Sequence, residues 1–106
     1  ATAALRRDDA QRRVETEARL RLREAQLAQG GWQRARVAQD KLEQAAQGLA
    51  RGYQLGEGSL ADLLAARRLA NEQRLAASTS AVDAWVARWQ LLLEAGRLWA
   101  EAGTLQ

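Results

Sequence analysis

The side chains of this sequence that could support chemistry are carboxylates and guanidinium groups, because the chain contains no His and no Cys. Without Cys there is no thiolate nucleophile, no disulfide and no Cys-based zinc site. Without His, the commonest general base and a common metal ligand are missing. Asp and Glu are scattered among Arg residues along the chain. The sequence therefore predicts no enzyme, no cofactor and no metal site, and it favours a protein that acts through its surface.

One short segment near the middle of the chain combines residues with special backbone roles. Gly56 can adopt the left-handed conformation that ends a helix. Ser59 can accept a hydrogen bond from a backbone N–H at the start of the next helix, and Asp62 follows three residues later, as in a capping box. This pattern predicts a helix end, a tight turn and a helix start.

The elements on either side of this turn are predicted to be helices. Ala, Leu, Arg, Gln and Glu dominate the chain, and there is no Pro. We expect a single all-α domain over residues 1–106, with helix 1 at about 3–55, a turn at 56–59 and helix 2 at about 60–102. Because the loop is short, the two helices should pair as a long antiparallel hairpin of the coiled-coil type.

The hairpin predicts which residues face each other. If the turn centres between Gly56 and Glu57, Leu64 faces Leu49 and Trp85 faces Ala28. Helix 2 then has an expected seam at steps of three and four, with one gap at Arg67: Leu60, Leu64, Asn71, Leu75, Ser78, Val82, Trp85, Trp89, Leu92, Gly96 and Trp99. This register predicts that Trp32, Trp85 and Trp89 lie in the core of the hairpin, whereas Trp99 contacts structure outside this chain.

A second stripe runs beside the first on helix 2: Leu63, Ala66, Ala70, Ala77, Ala81, Ala84, Leu91, Ala95, Leu98 and Ala102. Two seams suggest that each helix also packs on a neighbour, as in a bundle or a wall of helices. The alternative is that Ala is simply a good helix former. The pair Gly30–Gly31 in helix 1 is similarly open to two interpretations, a bend or close approach by a neighbour, and a flexible break.

The charge and hydropathy patterns limit the partners. The formal net charge is only +3, with 16 basic and 13 acidic residues that alternate along the chain. Such alternation is typical of a solvated helix surface and argues against nucleic-acid binding. No apolar run is long enough for a transmembrane helix. The chain contains no Met, even at position 1, which suggests a processed or excised piece of a longer protein.

The run Gly52-Tyr53-Gln54-Leu55-Gly56-Glu57-Gly58-Ser59-Leu60-Ala61-Asp62-Leu63-Leu64-Ala65-Ala66-Arg67-Arg68 resembles a known family pattern. It is similar to the second periplasmic hairpin of the outer-membrane efflux proteins, the TolC-like channels of tripartite pumps. Together with the downstream run Leu91–Trp99, it looks most like the heavy-metal cation (CzcC-type) branch. The resemblance covers about residues 32–99.

The resemblance implies a place and a role. The intact protein would be a trimeric channel in the outer membrane of a Gram-negative cell, and this chain would be a periplasmic piece of its α-helical barrel. The fragment itself would not span the membrane. It would pack in the channel wall of an RND-type pump that exports heavy-metal cations, dock a periplasmic adaptor (membrane fusion) protein directly and work with the inner-membrane pump indirectly.

The turn then corresponds to the periplasmic tip that meets the adaptor. The expected partner-binding residues are Tyr53, Leu55, Gly56, Glu57, Gly58, Ser59 and Asp62. Some family members close the tip with a Tyr, an Arg and two Asp. This sequence has Gly58 and Ala65 at the Arg and second Asp positions, so that latch is not expected here. The alternative function is a free-standing coiled-coil interaction or oligomerisation module unrelated to efflux.

Overall fold

The structure is a computed structural model that describes residues 2–104. It consists of two α-helices, α1 (Thr2–Gln54) and α2 (Leu60–Thr104), and the described residues contain no strand. The prediction of an all-α antiparallel helical hairpin is confirmed. The observed helix bounds differ from the expected ones by at most two residues, which is the usual uncertainty of helix ends.

The reversal between the helices is built from a glycine-based cap. Gly56 has a φ of 81°, and its N–H donates to the carbonyl of Tyr53 at 3.1 Å. The N–H of Glu57 donates to the carbonyl of Gly52 at 2.7 Å. These two bonds form a Schellman motif, which satisfies carbonyls at the end of α1 that would otherwise lack partners.

The contacts of the chain divide it into two compact units. The turn unit comprises Gln29–Val82 and therefore contains the reversal. The arm unit combines the chain up to Ala28 with the chain from Asp83 onward. In both units residues of α1 contact residues of α2 at the positions expected for a hairpin that reverses near Gly56.

The seam of the turn unit is made largely of small side chains. The buried and half-buried residues of α1 repeat at steps of three and four, and so do those of α2. They include Trp32, Ala35, Gln39, Leu42 and Ala46 on α1, and Leu63, Ala66, Ala70, Gln73 and Ala77 on α2. Ala46 is completely buried. Across this seam, Glu43 forms ion pairs with Arg67 at 3.4 Å and with Arg74 at 3.3 Å.

The seam of the arm unit follows the same spacing but includes charged residues. Its members are Val14, Ala18, Arg21, Ala25 and Ala28 on α1, and Ala84, Ala87, Leu91, Glu94 and Leu98 on α2. Arg21 donates to Gln90 at 3.2 Å. Arg97 lies 2.9 Å from Glu94 and 3.7 Å from Glu17 on the other helix. The arm unit is therefore joined by polar contacts as well as by apolar packing.

The prediction of which residues of α2 form the seam is wrong. The stripe expected in the core is exposed, since Leu75 is 70% and Trp85 62% accessible to solvent. The second, Ala-rich stripe forms the seam instead. Small residues let two helix backbones approach closely, so that larger side chains are left on the outside of α2. Of the tryptophans expected in the core, Trp32 alone is half-buried, whereas Trp89 is exposed like Trp85.

Helix α1 continues without a break through Gly30 and Gly31. The guanidinium group of Arg34 lies over this position, and a Cβ on Gly30 would be 3.3 Å from its Nη1 atom. The flexible break that the sequence left open is therefore not observed.

Candidate partner-docking site

The turn presents several apolar side chains to solvent. Leu55 is 78% exposed, and Tyr53 and Leu60 are also exposed on either side of the reversal. Leu55 is held in place because its N–H donates to the carbonyls of Arg51 and Gly52, each at 3.1 Å. An exposed leucine on an ordered turn offers apolar surface that a pocket on another protein could bury.

The backbone of the turn is open at both positive-φ glycines. Gly58 has a φ of 80°, close to the 81° of Gly56. Apart from the adjacent residues in the chain, no atom lies within 4 Å of the Cβ position of either glycine. Neither glycine is therefore required for close packing inside this chain. Their role is conformational, because the left-handed region is unfavourable for side chains other than glycine.

Ser59 and Asp62 form the start of α2. The Oγ of Ser59 accepts a hydrogen bond from the N–H of Asp62 at 3.1 Å, and the carbonyl of Ser59 accepts from the N–H of Leu63 at 3.2 Å. Ser59 is thus the N-cap residue, as its position predicted. Asp62 lies in the first turn, where its negative charge is favourable for the helix dipole.

The turn also carries two exposed carboxylates, those of Glu57 and Asp62. Neither takes part in an ion pair within residues 2–104. Gly58 and Ala65 supply no charged group, so the salt-bridged latch of the family pattern is not formed by these positions. All seven residues expected at the site lie on one exposed loop and its two helix ends, and the carboxylates are available to a basic partner.

A second exposed surface lies on α2, formed by apolar residues that the sequence predicts in the hairpin's own seam. We call the outer stripe of α2 the following exposed apolar residues on the side away from the seam: Leu64, Leu75 and Val82 in the turn unit, and Trp85, Trp89, Leu92 and Trp99 in the arm unit. From Leu75 onward these residues are spaced by three, four or seven positions, which is also the spacing of a hairpin seam, and the sequence therefore predicts them there. Large exposed apolar patches of this kind are typical of protein interfaces.

The aromatic part of the outer stripe lies in the arm unit. The rings of Trp85 and Trp89 are 6.0 Å apart and inclined by 54°. With Arg88 and Leu92 they line a shallow groove of about 200 Å³. The groove is small for a ligand pocket but suits the insertion of side chains from another helix.

Among the described residues, no group of three or more acidic side chains is arranged to hold a metal ion. Neither described helix has a stretch that is both long enough and apolar enough to cross a membrane. Comparisons of the chain with protein-family models, with curated proteins and with solved structures find no match.

Proposed function

We propose that this chain is a periplasmic helical hairpin of an outer-membrane channel in a tripartite efflux pump that exports heavy-metal cations. In this proposal the hairpin is structural and non-catalytic. It packs in the helical wall of a trimeric channel and docks the periplasmic adaptor through its tip. The proposal rests on the resemblance of residues 52–68 to the tip of such hairpins.

The observation that carries the proposal is the exposed turn. The residues of the family-like motif are located where a partner could reach them, with Leu55 largely exposed and an open backbone at Gly56 and Gly58. The Schellman motif and the Ser59 cap fix this conformation before any partner binds. A preformed tip is what docking to a second helical hairpin requires.

The outer stripe of α2 supports the packing part of the proposal. A hairpin that leaves Leu75, Trp85 and Trp89 exposed has lateral surface for a neighbouring helix. A wall of side-by-side hairpins would cover this surface on every copy. The same stripe also favours the second candidate, a free-standing coiled-coil module that assembles through α2, and the two functions differ in whether the tip has a partner.

The test is binding of the cognate adaptor to the chain, with variants that leave the turn conformation unchanged. We expect Leu55→Ser and Glu57→Arg each to weaken binding, since these side chains are exposed and make no ion pair within the described chain. Leu5→Ser is the matched control, because Leu5 is similarly exposed but lies far along α1 from the turn. Helicity measured by circular dichroism should stay the same in all three.

Equal binding by Leu55→Ser, Glu57→Arg and the parent chain would exclude docking through the tip. No adaptor binding, combined with concentration-dependent self-association, would favour the free-standing module. The exported substrate is tested separately, by the sensitivity to zinc, cobalt and cadmium of cells that lack the parent gene.

A further inference from the structure

The proposed function gives no role to the Arg-rich beginning of α1. Three of these residues, Arg13, Arg19 and Arg23, are exposed in the arm unit. The seam residues of this stretch are Val14, Ala18 and Arg21, and helical geometry places Arg19 and Arg23 on the side of α1 away from α2. This surface, with Arg13, Leu20 and Leu27, is called the outer face of α1.

The ion pairs of this stretch involve other arginines than those of the outer face. Glu17 pairs with Arg97, and Glu24 pairs with Arg21. No ion pair within residues 2–104 includes Arg13, Arg19 or Arg23. Arg12 is left out of this set because it lines a groove with the carboxylates of Asp8 and Glu15.

Two leucines accompany these cations. Leu20 is 54% and Leu27 66% exposed, and they lie one heptad apart on the same face. Cations alone would suit any polyanion, including a phosphate backbone. The leucines favour a helical protein over a nucleic acid as the partner, because they gain nothing from phosphates but pack well against an apolar stripe on a helix.

We infer that the outer face of α1 in the arm unit binds an acidic amphipathic helix of a partner protein. The leucines pack against the apolar stripe of that helix, and the arginines pair with the Glu or Asp residues beside it. The partner is not the outer stripe of another copy's α2, since Arg88 lies beside its tryptophans and would repel the same charges. The inference does not depend on a role in efflux.

The test uses the full chain and a fluorescent helical peptide of about 21 residues, with Leu repeated every seven positions and Glu beside it. A sister peptide has Lys in place of Glu. We expect the Glu peptide to bind, the Lys peptide not to bind, and the affinity to fall as salt is raised. Fluorescence anisotropy measures the affinity for each peptide and its dependence on salt.

Two sets of variants locate the binding surface. The triple variant Arg13→Gln, Arg19→Gln, Arg23→Gln should bind the Glu peptide about tenfold more weakly. The double variant Leu20→Ser, Leu27→Ser should also lose about tenfold. The control variant Lys41→Gln, Arg51→Gln, Arg68→Gln removes the same charge at exposed positions elsewhere and should bind like the parent chain. Gln is a good helix former, so circular dichroism should show equal helicity.

The result that would overturn the inference is equal peptide binding by the first triple variant and its control. A short DNA duplex supplies the second criterion. If the duplex binds as tightly as the Glu peptide, and if Leu20→Ser, Leu27→Ser changes neither affinity, the face is a general polyanion surface and the inference is wrong. Failure of adaptor docking would leave this inference unaffected, because the tip is not involved.

Discussion

Gln73 donates a hydrogen bond from its Nε2 atom to the backbone carbonyl of Ala35 on the opposite helix, at 3.4 Å. A side chain can reach the backbone of a partner helix only where the surrounding residues are small. The neighbouring seam positions on α2 are Ala70 and Ala77, which are 1% and 4% exposed. The two helices of the turn unit are therefore paired through a closely packed, small-residue seam.

The first prediction concerns the size limit of this seam. Ala77→Leu should destabilise the hairpin by about 1–3 kcal/mol, because the added side chain forces the two backbones apart. Ala76→Leu, one residue earlier on the exposed side of α2, should change stability by less than about 0.5 kcal/mol. Urea denaturation followed by circular dichroism measures both. If both variants had the same midpoint, the seam assignment would be wrong.

The turn and the pairing of the helices could be predicted from the sequence because their signals are local. Gly56, Ser59 and Asp62 each have one favourable backbone role, and these roles combine into a single reversal. The same residues lie in the exposed turn, but the prediction that this turn binds a partner came from the family resemblance and stays a prediction.

The face used for pairing could not be predicted in the same way. Both stripes of α2 repeat at steps of three and four, so periodicity does not distinguish the one with Leu75 and Trp85 from the one with Ala70 and Ala77. Hydrophobicity favours the larger residues, and this led to the wrong choice. The actual preference depends on how closely two backbones approach, which is a property of the pair of helices and not of either stripe.

The second prediction separates two kinds of glycine. Gly56→Ala should destabilise the hairpin by about 1–2 kcal/mol, because its φ of 81° is unfavourable for a residue with a Cβ. Gly96 lies inside α2 with no atom within 4 Å of its Cβ position. Gly96→Ala should therefore stabilise the chain by about 0.4–1 kcal/mol.

Thermal denaturation of the two alanine variants beside the parent chain provides the measurement. The expected shifts have opposite signs. Stabilisation by Gly56→Ala as well would show that the left-handed turn at Gly56 is not populated in solution, and destabilisation by Gly96→Ala would contradict the open space at Gly96.

The third prediction concerns the buried carboxylate of the arm unit. Glu94 is 8% exposed, its Oε1 accepts from Arg97, and its Oε2 has no hydrogen-bond partner within the described residues. Arg97→Ala should destabilise the hairpin by about 1–3 kcal/mol, since it leaves the carboxylate buried and without its cation. The double variant Glu94→Leu, Arg97→Ala should be more stable than Arg97→Ala alone.

The reason for this order is that Leu91 and Leu98, one turn away on either side, form an apolar surrounding in which leucine is better accommodated than an unpaired carboxylate. Chemical denaturation of the two single variants and the double variant completes a mutant cycle. Additive effects in this cycle would mean that Glu94 and Arg97 do not interact in the folded chain.

The fourth prediction distinguishes the outer stripe of α2 from the seam. Trp85→Gln and Trp89→Gln should each change the stability of the dilute chain by less than about 0.5 kcal/mol, because both side chains are exposed. Ala84→Gln, one residue from Trp85 but 7% exposed, should destabilise it clearly, since a polar side chain enters the seam. The same two tryptophan substitutions should weaken concentration-dependent association, measured by analytical ultracentrifugation, because each removes a large exposed apolar side chain that α2 offers to a neighbour. If the monomeric Trp85→Gln variant unfolded more readily than the parent chain, Trp85 would instead belong to the hairpin's own core. If the stability effects follow the expected order but association is unchanged, α2 has no neighbour of its own kind, and the surface remains available to a different helix.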